Sequence, residues 1–323
     1  MDENNFIEPL TETETEDDVS NAEMPVGARE ITSDYDPSDT DTRRYHAFRS
    51  GRYCIPNDEG EEIREKVQHD MMKELLDGRL FLAPIGDNPQ KIIDLGTGFG
   101  QWTIEVGELF PGAHVTGIDL SPVQPRWVPP NVHFVIDDIE DDWVHDNDYD
   151  FAHIRFVNTV LKDNETLLRN VLQNLRPGGW IEIQDIVPRV LSDDGTVTPE
   201  HGVTKFYSLL DPILREHYGY NIFIVEQIPD MLRNLGFVNV QQRVYRVPLG
   251  EWARDRRLRI IGGFLREILL EFFNTMVSRP MVESGTPRPD VEEALRQATI
   301  DAHNKRIHAY MTIHFIFAQK PEI

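Results

Sequence analysis

The run IIDLGTGFGQW, residues 92–102, decides the fold. Ile92, Ile93 and Leu95 make a short apolar strand that ends in three glycines spaced one residue apart, Gly96, Gly98 and Gly100. With no Cβ in the way, such a loop lets a ligand come close to the backbone. The helix it opens offers free N–H groups to polar or anionic atoms. Enzymes that bind dinucleotides carry G-x-G-x-x-G at this place. Here the pattern is acid-x-G-x-G-x-G, with Asp94 ahead of Gly96 and Thr97 inside the loop.

The segments that follow repeat the same signal. AHVTGIDL reads as a second strand ending at Asp119 and Leu120, with Asp119 25 positions after Asp94. One carboxylate at such a strand end can accept from both hydroxyls of a nucleotide ribose. VHFVIDDIED runs from Val132 into Asp137 and Asp138, YDFAHIRF reads as a fourth strand, and LRPGGWIEIQD as a Pro-Gly-Gly turn into a fifth. Short helices or strands after the first two strands, alternating as βαβ units, argue for a parallel sheet.

Composition sets the outer bounds. The chain has 323 residues, 40% of them apolar, enough to bury a sizeable core. No apolar run reaches the roughly 18–20 residues that span a bilayer, and the acidic start shows no secretory signal. The one cysteine, Cys54, excludes an intrachain disulfide framework and a Cys-rich zinc site. A cytoplasmic or nuclear location is therefore expected. The net charge is −24, and residues 1–42 hold 14 acids against one arginine. That stretch, which contains TETETEDD, is expected to be a disordered acidic tail. Direct nucleic-acid binding is disfavoured, because the short basic run at 253–259 is no phosphate-tracking groove.

Residues 43–90 are expected to form a helical strap. Asn57 or Asp58 caps a helix from about 61 to 76 whose apolar face holds Val67, Met71, Met72 and Leu75. A further helix covers 166–175 and stops at Arg176-Pro177-Gly178-Gly179. In the main domain, 91–323, helical insertions fall at about 190–235 and 251–305. A sixth strand lies between them, and AYMTIHFIFAQK (309–320) is a seventh. The segment 258–276 is apolar around much of its circumference, so it is buried against the sheet or against another chain. The helical insertion between the sixth and seventh strands, about 251–305, is the candidate substrate lid.

With RRYHAFRSGRYCIPNDE, LLDGRLFLAPI, DLGTGFGQWTIE, GIDLSPVQPRWVPPNVHFVIDDIEDDW and LRPGGWIEIQD in view, the chain resembles the fungal methyltransferases related to LaeA, a regulator of secondary metabolism. The resemblance runs from about Arg43 to Pro321 and is loose over 270–305. It implies a class I methyltransferase fold: a Rossmann-like α/β domain with a mostly parallel seven-stranded sheet, helices on both faces and a helical lid. It implies S-adenosylmethionine as cofactor. By the family's pattern, the cofactor site takes Asp94, Gly96, Gly98, Asp119 and Asp138, with Ile139 next to the adenine acid and Asp137 the alternative one position away; Thr97 and Gly100 in the loop and Leu120 after Asp119 are expected to join them.

Other residues have two readings each. His153 and Arg155 share a strand face. His153 is either a general base or a core histidine, and Arg155 either orients a cofactor or substrate carboxylate or makes a structural salt bridge. Tyr45, His46, Arg52 and Tyr53 are either a cofactor lid, with His46 as acid or base, or a plain anchor for the tail. Trp102 and Trp143 either flank adenine or pack the core, and Trp127 is a candidate ligand contact. No metal-ligand spacing occurs. The expected activity is methyl transfer to a small-molecule acceptor of secondary metabolism. The competing expectation is a regulator working through protein partners in the nucleus, and a homo-oligomer is open in either case.

Overall fold

The computed structural model describes residues 6–10, 43–49, 53–141, 143 and 147–322. In chain order the main elements are α1 (Glu59–Leu75), β1 (Lys91–Leu95), α2 (Gln101–Leu109), β2 (His114–Asp119), β3 (Val132–Ile136), β4 (Tyr149–Arg155), α3 (Asn164–Asn174), β5 (Leu175–Leu191), α4 (Gly202–Ile213), α5 (Ile228–Leu235), β6 (Val238–Pro248), α6 (Arg256–Met276), α7 (Arg288–His303) and β7 (Tyr310–Gln319). The seven strands form one sheet in the order β3-β2-β1-β4-β5-β7-β6. The first five run parallel, and β7 is antiparallel to both β5 and β6.

Helices cover both faces, which is why β1 and β4 are buried almost throughout. Along β7, Phe315 faces the layer of α1, α4, α6 and α7, while Ile316 and Ala318 face α3 and α5. Within the first layer Phe206 of α4 stacks on Phe273 of α6 with ring centroids 4.0 Å apart. Three helices begin on aspartate caps: Asp58 accepts from the Glu61 amide, Asp163 from Thr166 and Asp255 from Leu258.

Three expectations need correction. No helix joins β2 to β3, since residues 120–131 contain Pro122, Pro125, Pro129 and Pro130, which cannot sustain an i→i−4 ladder. Leu175 does not end a helix. It pairs with Tyr149 as the first residue of β5, residues 176–179 are skipped in the pairing, and Trp180 resumes opposite Phe151. Finally, the acidic segment is not unstructured throughout. At its apolar start, Pro9 bridges Ala253, the Leu10 amide donates to the Trp252 carbonyl (2.9 Å), and Ile7 is buried. Residues 11–42 lie outside the described residues. Among the described residues, no helix is long and apolar enough to cross a membrane.

Candidate active site

A cavity of about 210 Å³ opens over the carboxyl ends of β1, β2, β4 and β5, roofed by α1, α4 and α6. Parallel sheets place ligands at this edge, where β1 and β4 diverge and the strand order reverses.

At the end of β1 the chain turns through Gly96 and Gly98, with φ of 76° and 55°. A Cβ on Gly96 would lie 2.5 Å from Val157 Cγ2, and one on Gly98 2.3 Å from Glu65 Oε2. Gly100 (φ 84°) is set back from the cavity. It caps α2, and a Cβ there would meet the Phe134 ring at 2.5 Å. Its expected contact with a cofactor is therefore corrected to a steric role in the loop.

Asp94 holds this loop. Its Oδ2 accepts from the Thr97 hydroxyl (2.8 Å) and the Thr103 hydroxyl (2.5 Å), and its Oδ1 from His153 Nδ1 (2.8 Å). Burial raises its pKa, but the hydrogen bonds from His153, Thr103 and Thr97 outweigh burial and leave it below the usual value. His153 is fully buried, pairs with Asp94 across β1 and β4, and stacks on Trp102 at 3.6 Å. It does not line the cavity, and burial lowers its pKa despite Asp94. His153 is thus a positioning residue behind Asp94, which overturns its reading as a base. His46 fails for the same reason. It is buried in the strap, its Nε2 lies 3.3 Å from the Arg49 carbonyl, and it too is absent from the cavity lining.

Asp119, at the end of β2, accepts from the amides of Gly98 and Ser121, both at 2.9 Å. Burial outweighs these bonds and pushes its pKa up to about 6. Beyond β3, Asp138 accepts from the Glu140 amide (3.0 Å) and pairs with Arg49 of the strap (3.1 Å). Leu120, Ile139, Tyr53, Thr97 and Arg155 also line the cavity. Trp102 reaches its wall but is anchored in the core through Nε1 to the Leu80 carbonyl. Trp143 sits behind Ile139, and Trp127 is 94% exposed. Arg52 lies outside the described residues.

The strap is tied down at several points. Arg43 pairs with Asp58 at 2.6 Å and reaches Glu271 of α6 at 3.7 Å, the Asn57 amide donates to the Arg44 carbonyl, and Arg279 lies over the Tyr45 ring.

Several cavity residues carried no assignment from the sequence. Glu65 and Gln68 come from α1, Asp185 from β5 and Tyr207 from α4. Asp185 is fully buried, accepts from the Ile186 amide (2.8 Å) and the Asn158 amide (3.1 Å), and burial raises its pKa to about 7. Its signal was present in WIEIQD: the acid follows directly on Gln184, where the pairing of β5 with β4 ends. The α1 signal was a polar stripe, Glu61, Arg64, Glu65 and Gln68, at i, i+3, i+4, i+7 spacing.

Comparison with known proteins agrees with this architecture. A family model described as a methyltransferase domain matches residues 67–242. The methyltransferase pytC of Aspergillus terreus is 34% identical over 86% of each chain. The secondary metabolism regulator LAE1 of Cochliobolus heterostrophus is 31% identical, covering 87% of this chain and 94% of its own. The methyltransferase cpsF of Aspergillus campestris is 33% identical over 79% of this chain and 94% of its own. The chain belongs to the methyltransferase-domain family, among relatives of fungal secondary metabolism that include LaeA-like proteins, and its cofactor is S-adenosylmethionine.

Proposed function

We propose that the protein methylates a small, largely apolar acceptor molecule of fungal secondary metabolism. The supporting observation is the continuity of the cavity. From the glycine loop it runs under α4 and α6, against Tyr207, Leu265, Ile268, Leu269, Phe272 and Met276. Such a wall suits an apolar skeleton held out of water.

In this reading Gly96 and Gly98 let the cofactor approach the backbone, with Thr97 holding the loop through Asp94. Asp119 with Leu120 receives the ribose, Asp138 with Ile139 the adenine edge, and Tyr53 closes the strap side. When bound, S-adenosylmethionine supplies an electrophilic methyl on a good leaving group, so the chain's contribution is orientation and exclusion of water. The acceptor approaches from the α6 side.

A second reading, transfer to a protein partner or regulation through one, draws on the likeness to LAE1. It calls for a broad open groove, whereas this cavity is roofed by the strap and by α6. Methyl-labelled cofactor added to the protein with fungal extract, followed by separation by size, distinguishes the two. Label in the small-molecule fraction supports the proposal, and label confined to protein overturns it.

A further inference from the structure

Two charged side chains of opposite sign line the cavity and make few hydrogen bonds within the protein. Arg155, at the end of β4, lines the cavity, and its side chain makes no hydrogen bond to any described residue. Its charge faces Asp94, Glu65 and Glu105 only through space. Glu65 projects from α1 against the glycine loop, where its Oε2 accepts a single amide, that of Phe99, at 3.2 Å. The neighbouring cation on its own helix, Arg64, forms its ion pair with Glu61 at 2.5 Å. Both side chains are half-buried at the cavity wall, where a ligand carrying the opposite charges can complete their bonding.

The cofactor has one zwitterionic end, with a carboxylate and an ammonium. Its nucleoside end is claimed by the acids after β2 and β3, which leaves the zwitterion for the β4 and α1 side. Asp94 already accepts from Thr97, Thr103 and His153, so Glu65, with one amide, has the greater unused acceptor capacity. We propose that Glu65, on the helix ahead of the sheet, accepts the cofactor's ammonium while Arg155 holds its carboxylate, so that the strap helix supplies half of a two-charge clamp. This rests on the cofactor placement proposed above.

The electrostatics are consistent. Burial first, then Glu61 and Asp119, raise the pKa of Glu65, against Arg64 and the Phe99 amide, which lower it. Tyr53 from the strap and Arg155 from β4 are the other titratable groups facing it. An arriving ammonium stabilises the carboxylate, so binding near neutral pH releases a proton.

The test is calorimetric titration with S-adenosylhomocysteine, its deaminated analogue and its decarboxylated analogue. Glu65→Gln keeps an acceptor for the Phe99 amide. It should weaken S-adenosylhomocysteine about tenfold or more, the range of a charge-assisted hydrogen bond, and leave the deaminated analogue nearly unchanged. Arg155→Met should do the same with respect to the decarboxylated analogue. Wild-type titrations in buffers of different ionisation enthalpy need no variant, and should show proton release with S-adenosylhomocysteine but not with the deaminated analogue. Equal weakening of all three ligands by Glu65→Gln, or no weakening, overturns the clamp while leaving the cofactor site intact. Failure of the wild type to bind S-adenosylhomocysteine overturns the cofactor placement itself.

Discussion

The two ends of the cavity are built by different means. At the β1–β3 end the geometry is set by backbone: positive-φ glycines, and carboxylates such as Asp119 that accept main-chain amides. At the α4–α6 end it is set by apolar side chains packed between helices, such as Phe206 on Phe273. A backbone-built end tolerates few residue types but tunes poorly. A side-chain-built end can be reshaped by single substitutions without disturbing the loop. The difference matches the division proposed above, with the cofactor at the backbone-built end and the acceptor at the helical end.

The largest expected effect tests the helical end. Phe273 is fully buried, and truncation to alanine removes its stacking with Phe206 and opens a cavity. Phe273→Ala should cost about 3–5 kcal/mol of stability. If the two ends are independent, the fraction still folded at low temperature binds S-adenosylhomocysteine with unchanged affinity. Stability is read by urea denaturation and binding by calorimetry.

Gly96→Ala makes the converse cut. The new Cβ would stand 2.5 Å from Val157 at φ 76°, a strain of about 1–3 kcal/mol that the loop relieves by shifting. We expect at least about a tenfold loss of S-adenosylhomocysteine affinity with little change in Tm. A large Tm loss with unchanged affinity would break the comparison.

How much of each end was legible follows from the same distinction. The glycine loop and the strand-end acids could be read because backbone geometry demands particular residue types at fixed spacing. The α1 contribution was hidden, since Glu61, Arg64, Glu65 and Gln68 look like a solvated helix face until the fold lays that face over the cavity. His153 stayed undecided between a base and a core histidine for the opposite reason: a histidine near a strand end resembles a base, and only packing puts it behind Asp94. The missing helix between β2 and β3 was legible in four prolines but was outweighed by the βαβ rhythm.

A smaller effect separates buried acids by pH. Glu182 in β5 is fully buried, and its Oε2 accepts from the amides of Leu82 (2.7 Å) and Ala83 (2.5 Å). Burial lifts its pKa from 4.5 to about 7 against these bonds and one from Gln184. Because the folded value is raised, the native state holds the proton longer than the unfolded chain. Stability from this group is full below about pH 4.5 and is lost as pH rises through about 7. Glu182→Gln should therefore leave stability at pH 5 nearly unchanged and raise it at pH 8, by roughly 1–3 kcal/mol. A slope between pH 5 and 8 that the variant does not flatten would assign the titration instead to Asp119 and Asp185 in the cavity.

The smallest expected effect concerns the far edge, where Ile7 packs with Trp252, Ala253 and Tyr310, and Arg254 donates its amide to the Glu8 carbonyl at 2.7 Å. None of these residues lines the cavity. Removing residues 1–10 strips one buried aliphatic side chain and a short bridge, so about 1–2 kcal/mol is at stake, or a few degrees in Tm. Calorimetric affinity for S-adenosylhomocysteine should not move. A drop in affinity would mean that the acidic segment communicates with the cavity through β7 and α6, and the two ends could then no longer be treated as separately built.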